Sequence, residues 1–316
     1  MSSLAPGSET NAGLTFRLLC EMAGRSRASL RYEQGVQFLR WRDAMDVIEG
    51  RGIDRQIRRA YGFIASRYRP GDRIFLFGYS RGAYAVRSLA GVIDRIGLVR
   101  AEHATVRNIR QAYRHYELNP DTFAAAAFAE KFCHEKVEIE MVGVWDTVKA
   151  LGLRAPILWR YSKVEHAFHN HTLGDSIRHG FHALARDEVR QAYAPVMWTT
   201  RDDWHGVLEQ VWFRGTHGDV GGHLGGLEPA RKLSNIPLVW MLEKAEGCGI
   251  ELPEGWRERF EQDPAAPSVG TLRGWGKMFV LRKRRTIGAD PSESIHPSAI
   301  GRKPSGLLRR HFSASS

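Results

Sequence analysis

The stretch from Pro70 to Ile96 constrains the fold more than any other part of the chain. Pro70-Gly71-Asp72 forces a turn, Arg73-Ile-Phe-Leu-Phe-Gly78 is almost wholly apolar, and helical spacing begins at Ser80 and runs to Ile96. A short run without a polar face cannot lie half in water, so it reads as a strand buried on both faces of a parallel sheet. Between this strand and the helix lies Gly78-Tyr79-Ser80-Arg81-Gly82. In that context the pattern describes a turn so tight that the neighbours of the serine must lack side chains.

The same alternation recurs along the chain. Asp54 to Tyr68 carries Ile57, Ala60, Tyr61, Ile64 and Ala65 at amphipathic helix spacing. Leu14–Ala23, Asn108–Tyr116, Thr122–Cys133, Thr172–Asp187 and Leu233–Gly247 also read as helices. Ser29–Gln34, Val137–Trp145, Pro195–Thr199 and Val207–Phe213 read as strands. Helices and strands in this order predict an α/β fold, a mainly parallel sheet flanked by helices. With 316 residues, 43% of them hydrophobic, the chain can bury a large core. A single catalytic-size domain over 1–263 is expected, followed by a Pro-, Gly- and Arg-rich arm over 264–316, ordered in part to about Ala299 and disordered beyond.

Charge and cysteine usage narrow the setting. The chain has 26% charged residues, no apolar run of membrane-spanning length, and no export signal over Met1–Gly13. Cys20, Cys133 and Cys248 are too scattered for a disulfide framework, which suits a reducing compartment. The expected location is cytoplasmic, with peripheral membrane association or secretion independent of a signal peptide as the alternatives. The net charge is +11, and Leu272–Ser316 holds ten basic residues against Asp290 and Glu293, a local +8. Such a block attracts polyanions in general; an anionic membrane surface is the partner kept in view, nucleic acid is disfavoured, and a merely solvating tail is the plain alternative.

The chemistry is expected at Ser80. A hydroxyl is a poor nucleophile until a base takes its proton, so the turn calls for a histidine and an orienting carboxylate further along, each at a strand end. Asp146 ends the run Met141 to Trp145, and His217 follows Val211-Trp-Phe213 within Gly215-Thr-His-Gly-Asp-Val-Gly-Gly222. The backbone N–H of Arg81, at the start of the helix, is the expected oxyanion donor. Rivals are His182, read on a helix, and His296 for the base, with Asp219, Asp187 and Asp202-Asp203 for the acid; Asp219 is expected to stabilise the loop of His217. Ser80 as an ordinary helix cap is the competing reading of the motif. His166, His169 and His171 cluster, and His217-x-Asp219 with His223 invites a metal reading, but neither has a firm ligand spacing. No metal and no cofactor is expected. Leu151 to His171 carries Leu151, Leu153, Ile157, Leu158, Trp159 and Tyr161, which suits a lid or a lipid-contacting cap as well as core packing.

At these residues the chain resembles a family of α/β-hydrolases, long of unknown function, that includes the catalytic domains of type VI secretion phospholipase effectors. The matching blocks are Gly50-Arg-Gly-Ile-Asp-Arg55, Gly71 to Tyr84 with Arg87-Ser-Leu-Ala-Gly91, Val142-Gly-Val-Trp-Asp-Thr-Val148, His182-Ala-Leu-Ala, Trp212 to Gly222, Asn235 to Met241 and Ile295-His-Pro-Ser298. The resemblance implies Ser80 as nucleophile with Asp146 and His217 as partners, and hydrolysis of esters, phospholipid acyl esters foremost. Members of the family open with a buried strand ending in Asp-Gly-Thr, whose loop could supply a second oxyanion donor. Here Met1 to Asn11 resembles the continuation of that loop with the first strand missing, which is expected to reflect a start set too late. The function expected is a serine esterase or phospholipase. Its rival is a catalytically impaired hydrolase-fold module that binds anionic membranes or another polyanion through the basic C-terminal arm; oligomeric state is left open.

Overall fold

The computed structural model describes residue 4 and residues 7–25, 28–34, 51–148, 171–272 and 281–300. The principal elements, in chain order, are α1 (Asn11–Met22), α2 (Arg51–Ala65), β1 (Ile74–Tyr79), α3 (Arg81–Ile96), α4 (Val106–Leu118), α5 (Phe123–Phe132), β2 (Ile139–Trp145), β3 (Ile177–Ala185), β4 (Val207–Phe213), α6 (His217–Gly221), α7 (Arg231–Gly247) and β5 (Glu293–Ile295). The strands form one sheet in the order β1-β2-β3-β4-β5, every adjacent pair parallel.

The apolar runs are explained by burial on two sides. Along β1, Ile74 and Leu76 join one core, while Phe75, Phe77 and Tyr79 join the other; along β2, Val142 and Val144 alternate with Met141 and Trp145 in the same way. The first core is covered by α2, α3, α4 and α5, the second by α1 and α7. Trp145 is fully buried at the end of β2 and donates its indole N–H to the Pro237 carbonyl of α7 at 3.1 Å. Truncating an aromatic so placed costs about 3–5 kcal/mol, so the strand end beside the site is firmly held.

Three expected elements differ. Thr172–Asp187 is not a helix: Ile177–Ala185 is strand β3, paired on both sides. Its Ala-Leu-Ala favours a helix locally, but a position between two buried strands overrides propensity. Pro195–Thr199 is not a strand. An isolated bridge to Val148 and side chains take the place of a continuous ladder: the Arg87 guanidinium donates to the Val196 and Met197 carbonyls, and the Gln210 amide bonds both the N–H and the C=O of Trp198 at 2.9 Å. Ser29–Gln34 has no regular structure either; Tyr32 packs on Phe16 of α1 with ring centroids 5.1 Å apart.

The stretch expected to trail as a basic arm contributes to the body. Lys283 N–H donates to the Val189 carbonyl at 2.8 Å, and β5 extends the sheet beside β4. The end expected to be disordered, after Ala299, lies outside the described residues apart from Ile300.

Candidate active site

Ser80 joins β1 to α3 with φ 59° and ψ −121°, a backbone region closed to most L-residues. Its N–H donates to the Trp145 carbonyl at 3.0 Å, which ties the turn to the end of β2. Gly78 makes this geometry possible, because a Cβ there would fall 2.5 Å from the Gly82 carbonyl oxygen. The expected need for a second glycine is not met the same way: a Cβ on Gly82 would touch nothing among the described residues. The Ser80 hydroxyl makes no capping bond to α3; its Oγ lies 2.8 Å from His217 Nε2.

Asp146 follows β2 with φ 44° and is completely buried. Its Oδ2 is 2.6 Å from His217 Nδ1, and its Oδ1 accepts the Ala185 N–H at 3.0 Å. An ionised carboxylate only accepts, so Nδ1 carries the imidazole proton and Nε2 is free to accept from the Ser80 hydroxyl. Ser80, His217 and Asp146 therefore form one hydrogen-bonded series, drawn from three strand ends.

His217 is fixed from every side. It opens α6, whose cap is a reciprocal pair in which Thr216 and Asp219 satisfy each other's backbone groups. Asp219 also accepts from Ser268 Oγ at 2.6 Å and Val269 N–H at 2.8 Å, so it secures the loop and faces away from the imidazole's bonds. The His217 N–H donates to Glu188 Oε2 at 3.2 Å, and its carbonyl accepts from the Tyr79 hydroxyl at 3.1 Å. The ring packs between Tyr79 and Tyr193, with centroids 4.9 and 4.8 Å away. Gly221 is required here, since a Cβ would strike the Tyr79 ring at 1.9 Å.

One side chain from the stretch expected to form a basic arm completes the arrangement. Arg285 reaches Asp146 with both terminal nitrogens, Nη1 to Oδ1 at 2.5 Å and Nη2 to Oδ2 at 2.9 Å, and donates to the carbonyls of Ala185 at 2.8 Å and Tyr193 at 2.6 Å. The side chain is 4% exposed, so it cannot face a membrane as an arm residue would. Burial alone would raise the Asp146 pKa, but the Arg285 charge and the bonds from His217 and Arg285 outweigh it and hold the carboxyl well below its usual range. Burial lowers the His217 pKa, opposed by Asp146 and Glu188 and reinforced by the Arg285 charge, so the imidazole rests neutral.

The rival residues lie elsewhere. His182 is on β3, not on a helix; its Nε2 accepts the Thr147 N–H at 3.1 Å and its Nδ1 lies 3.4 Å from Gln210 Oε1, which makes it a support for the residue after Asp146. His296 stacks on Phe213 and bonds Ser298. Asp187 accepts the Gly215 N–H at 2.9 Å and pairs with Arg186, and Asp203 pairs with Arg201 at the surface. No group of histidine, cysteine and acidic residues suited to a metal occurs among the described residues. His166, His169 and the loop residues Leu151, Leu153, Ile157, Leu158, Trp159 and Tyr161 lie outside the described residues. Arg81 opens α3, where backbone N–H groups leave the helix end on the side of Ser80. The segment Glu9–Asn11 is buried beside α6: Arg231 donates to the Glu9 carbonyl at 2.9 Å, and a Cβ on Gly222 would meet the Asn11 nitrogen at 2.6 Å.

A parallel sheet flanked by helices, with a serine held in a strained strand-to-helix turn at the end of β1, defines an α/β-hydrolase-like protein. Residues 2–244 match the family of type VI secretion phospholipase effectors, Tle1-like, catalytic domain, and the chain belongs to that family. An uncharacterised protein of Saccharomyces cerevisiae is 34% identical over 130 residues, which is 37% of this chain and 19% of the yeast protein. The structure of the Tle1 effector bound to the VgrG spike from the type 6 secretion system aligns at 17% identity and a TM-score of 0.27, over 70% of this chain and 45% of that one. The chain thus spans less than half the length of either relative. No helix among the described residues is long and apolar enough to cross a membrane.

Proposed function

We propose that the chain is a serine hydrolase of carboxylic esters, with phospholipid acyl esters as the substrate class. The observation that carries this reading is the hydrogen-bonded series Ser80–His217–Asp146, with contacts of 2.8 and 2.6 Å around a serine at φ 59°. His217 Nε2 takes the Ser80 proton as Oγ attacks the ester carbonyl, and the tetrahedral oxyanion is met by the Arg81 N–H at the positive end of α3. Collapse expels the alcohol, which receives the proton from Nε2. Water, deprotonated by the same nitrogen, then attacks the acyl-enzyme and frees the acid. Asp146 orients the imidazole and stabilises the imidazolium, and Arg285 keeps that carboxylate ionised and in place. No step calls on a metal or cofactor.

The lipid preference rests on membership of a phospholipase effector family, and the same membership supports export by a route without a signal peptide. The test is fatty-acid release from dispersed phospholipid and turnover of a soluble short-chain nitrophenyl ester. Ser80→Ala lowers both by on the order of 10⁵-fold while circular dichroism stays unchanged. Retained turnover in that variant overturns the assignment, and ester turnover without fatty-acid release restricts it to soluble substrates.

A further inference from the structure

Helix α4 buries Ala112, Tyr113 and Tyr116 against the first core, which turns Arg107, Arg110, Arg114 and Leu118 outward in a single stripe. All three arginines are exposed and none forms an ion pair with a described residue, whereas the nearby Arg95 and Arg100 are engaged by Asp121 and Glu102. Glu117 is the one acidic residue on the helix. Where α4 gives way to α5 the surface becomes apolar: Leu118 is 71% exposed and Phe123 is 89% exposed. The first turn and a half of α5 continues with Ala124, Ala126 and Ala127 facing water. Phe128, on the inner face, holds the hairpin together through the His115 ring at 5.4 Å.

Neither half of this surface serves the fold. A phenylalanine on the first position of an exposed helix gains nothing from water, and unpaired guanidinium groups in a row repel one another. The two halves together match one environment. Arginines satisfy lipid phosphates at the headgroup level, while adjoining leucine and phenylalanine side chains enter the acyl boundary just below it. A polyanion in water would answer the arginines and leave Leu118 and Phe123 exposed.

We propose that the outer face of the α4–α5 hairpin docks the chain on an anionic phospholipid bilayer. The choice of partner rests on the lipid-hydrolase reading of the Ser80 site, and the surface itself is distinct from that site. It places membrane contact on a structured hairpin, in contrast to the C-terminal stretch, whose Arg285 is buried against Asp146.

The experiment measures sedimentation with phosphatidylcholine vesicles containing about one-third phosphatidylglycerol and with pure phosphatidylcholine, using the Ser80→Ala chain so that lipid is not consumed. Tight, salt-sensitive binding to the anionic vesicles alone is expected. Replacing Arg107, Arg110 and Arg114 by glutamine weakens it by on the order of 100-fold, about fivefold for each charge. Leu118→Glu with Phe123→Glu weakens it independently. In chains with Ser80 intact, the same surface substitutions leave soluble-ester turnover at the wild-type rate, which shows that they fold. Equal binding to both vesicle types, or unchanged binding after the arginine substitutions, overturns the proposal, as does binding of heparin with no affinity for vesicles. Vesicle binding by a chain without ester turnover sustains the docking face and sinks the hydrolase reading instead, so the two failures are distinct.

Discussion

The negative charge of Asp146 is answered twice, by the His217 ring on Oδ2 and by the Arg285 guanidinium on both oxygens, in a place closed to water. The second partner bears on the base. Burial sets the His217 pKa below its ordinary value against the pull of Asp146, and the Arg285 charge, which partly cancels that pull, adds a smaller depression. Removing the cation strengthens the pull of Asp146 on the imidazolium, so that pKa rises. For Arg285→Met the acid limb of kcat/KM against pH therefore moves upward, and activity below about pH 6.5 falls relative to activity at higher pH. Arg285→Lys restores part of the limb. A uniform loss at every pH, with no displacement, would reduce Arg285 to a packing role. Ser80, Asp146 and His217 were legible because each ends a readable apolar strand and falls in the order such chemistry requires. Arg285 was not, since it lies 139 residues from Asp146 in a run of basic residues, and nothing local marks the one that turns inward.

Among the elements, β1 is legible as an apolar run with no polar face, and β2 and β4 by their apolar ends Met141–Trp145 and Val211–Phe213. Strand β3 is not. Its Gly180, His182 and Ala-Leu-Ala carry no such signature, and its identity comes from the neighbours on either side. Strand β5 is three residues long, two of them polar, and lies beyond a basic stretch, so no periodicity exposes it. It nevertheless anchors the segment that carries Arg285. A chain ending at Leu272 retains all residues of the family match, 2–244, yet lacks both β5 and the partner of Asp146. Such a chain is expected to keep helical circular dichroism but to lose ester turnover by at least about 100-fold, a loss of the size seen when an essential support of the transition state is removed. Wild-type turnover would show that residues 281–300 are accessory.

Across the whole molecule, two cores on either side of one sheet follow from the alternation of helices and strands, and that architecture was readable at the outset. Its pH dependence was not, because it arises from histidines buried by tertiary contacts. Burial, reinforced by the charge of Arg87, holds His182 down to about 3, and burial also depresses His217. A depressed base means that the unfolded chain binds more protons than the folded one, so stability is full above about pH 6.5 and drains away as pH falls toward about 3. The His182 contribution is on the order of several kcal/mol. Urea midpoints at pH 7 and about pH 5 should diverge in the wild type and lie closer together in His182→Gln; identical pH sensitivity in both would remove His182 from the account. In the proposed mechanism the fold activates one hydroxyl, and a fluorophosphonate reads this directly. Peptide mass spectrometry after labelling is predicted to find one adduct, on Ser80, absent from Ser80→Ala and strongly slowed in His217→Ala. A folded chain that takes up no label, or takes it up on another residue, would show that Ser80 is not the nucleophile.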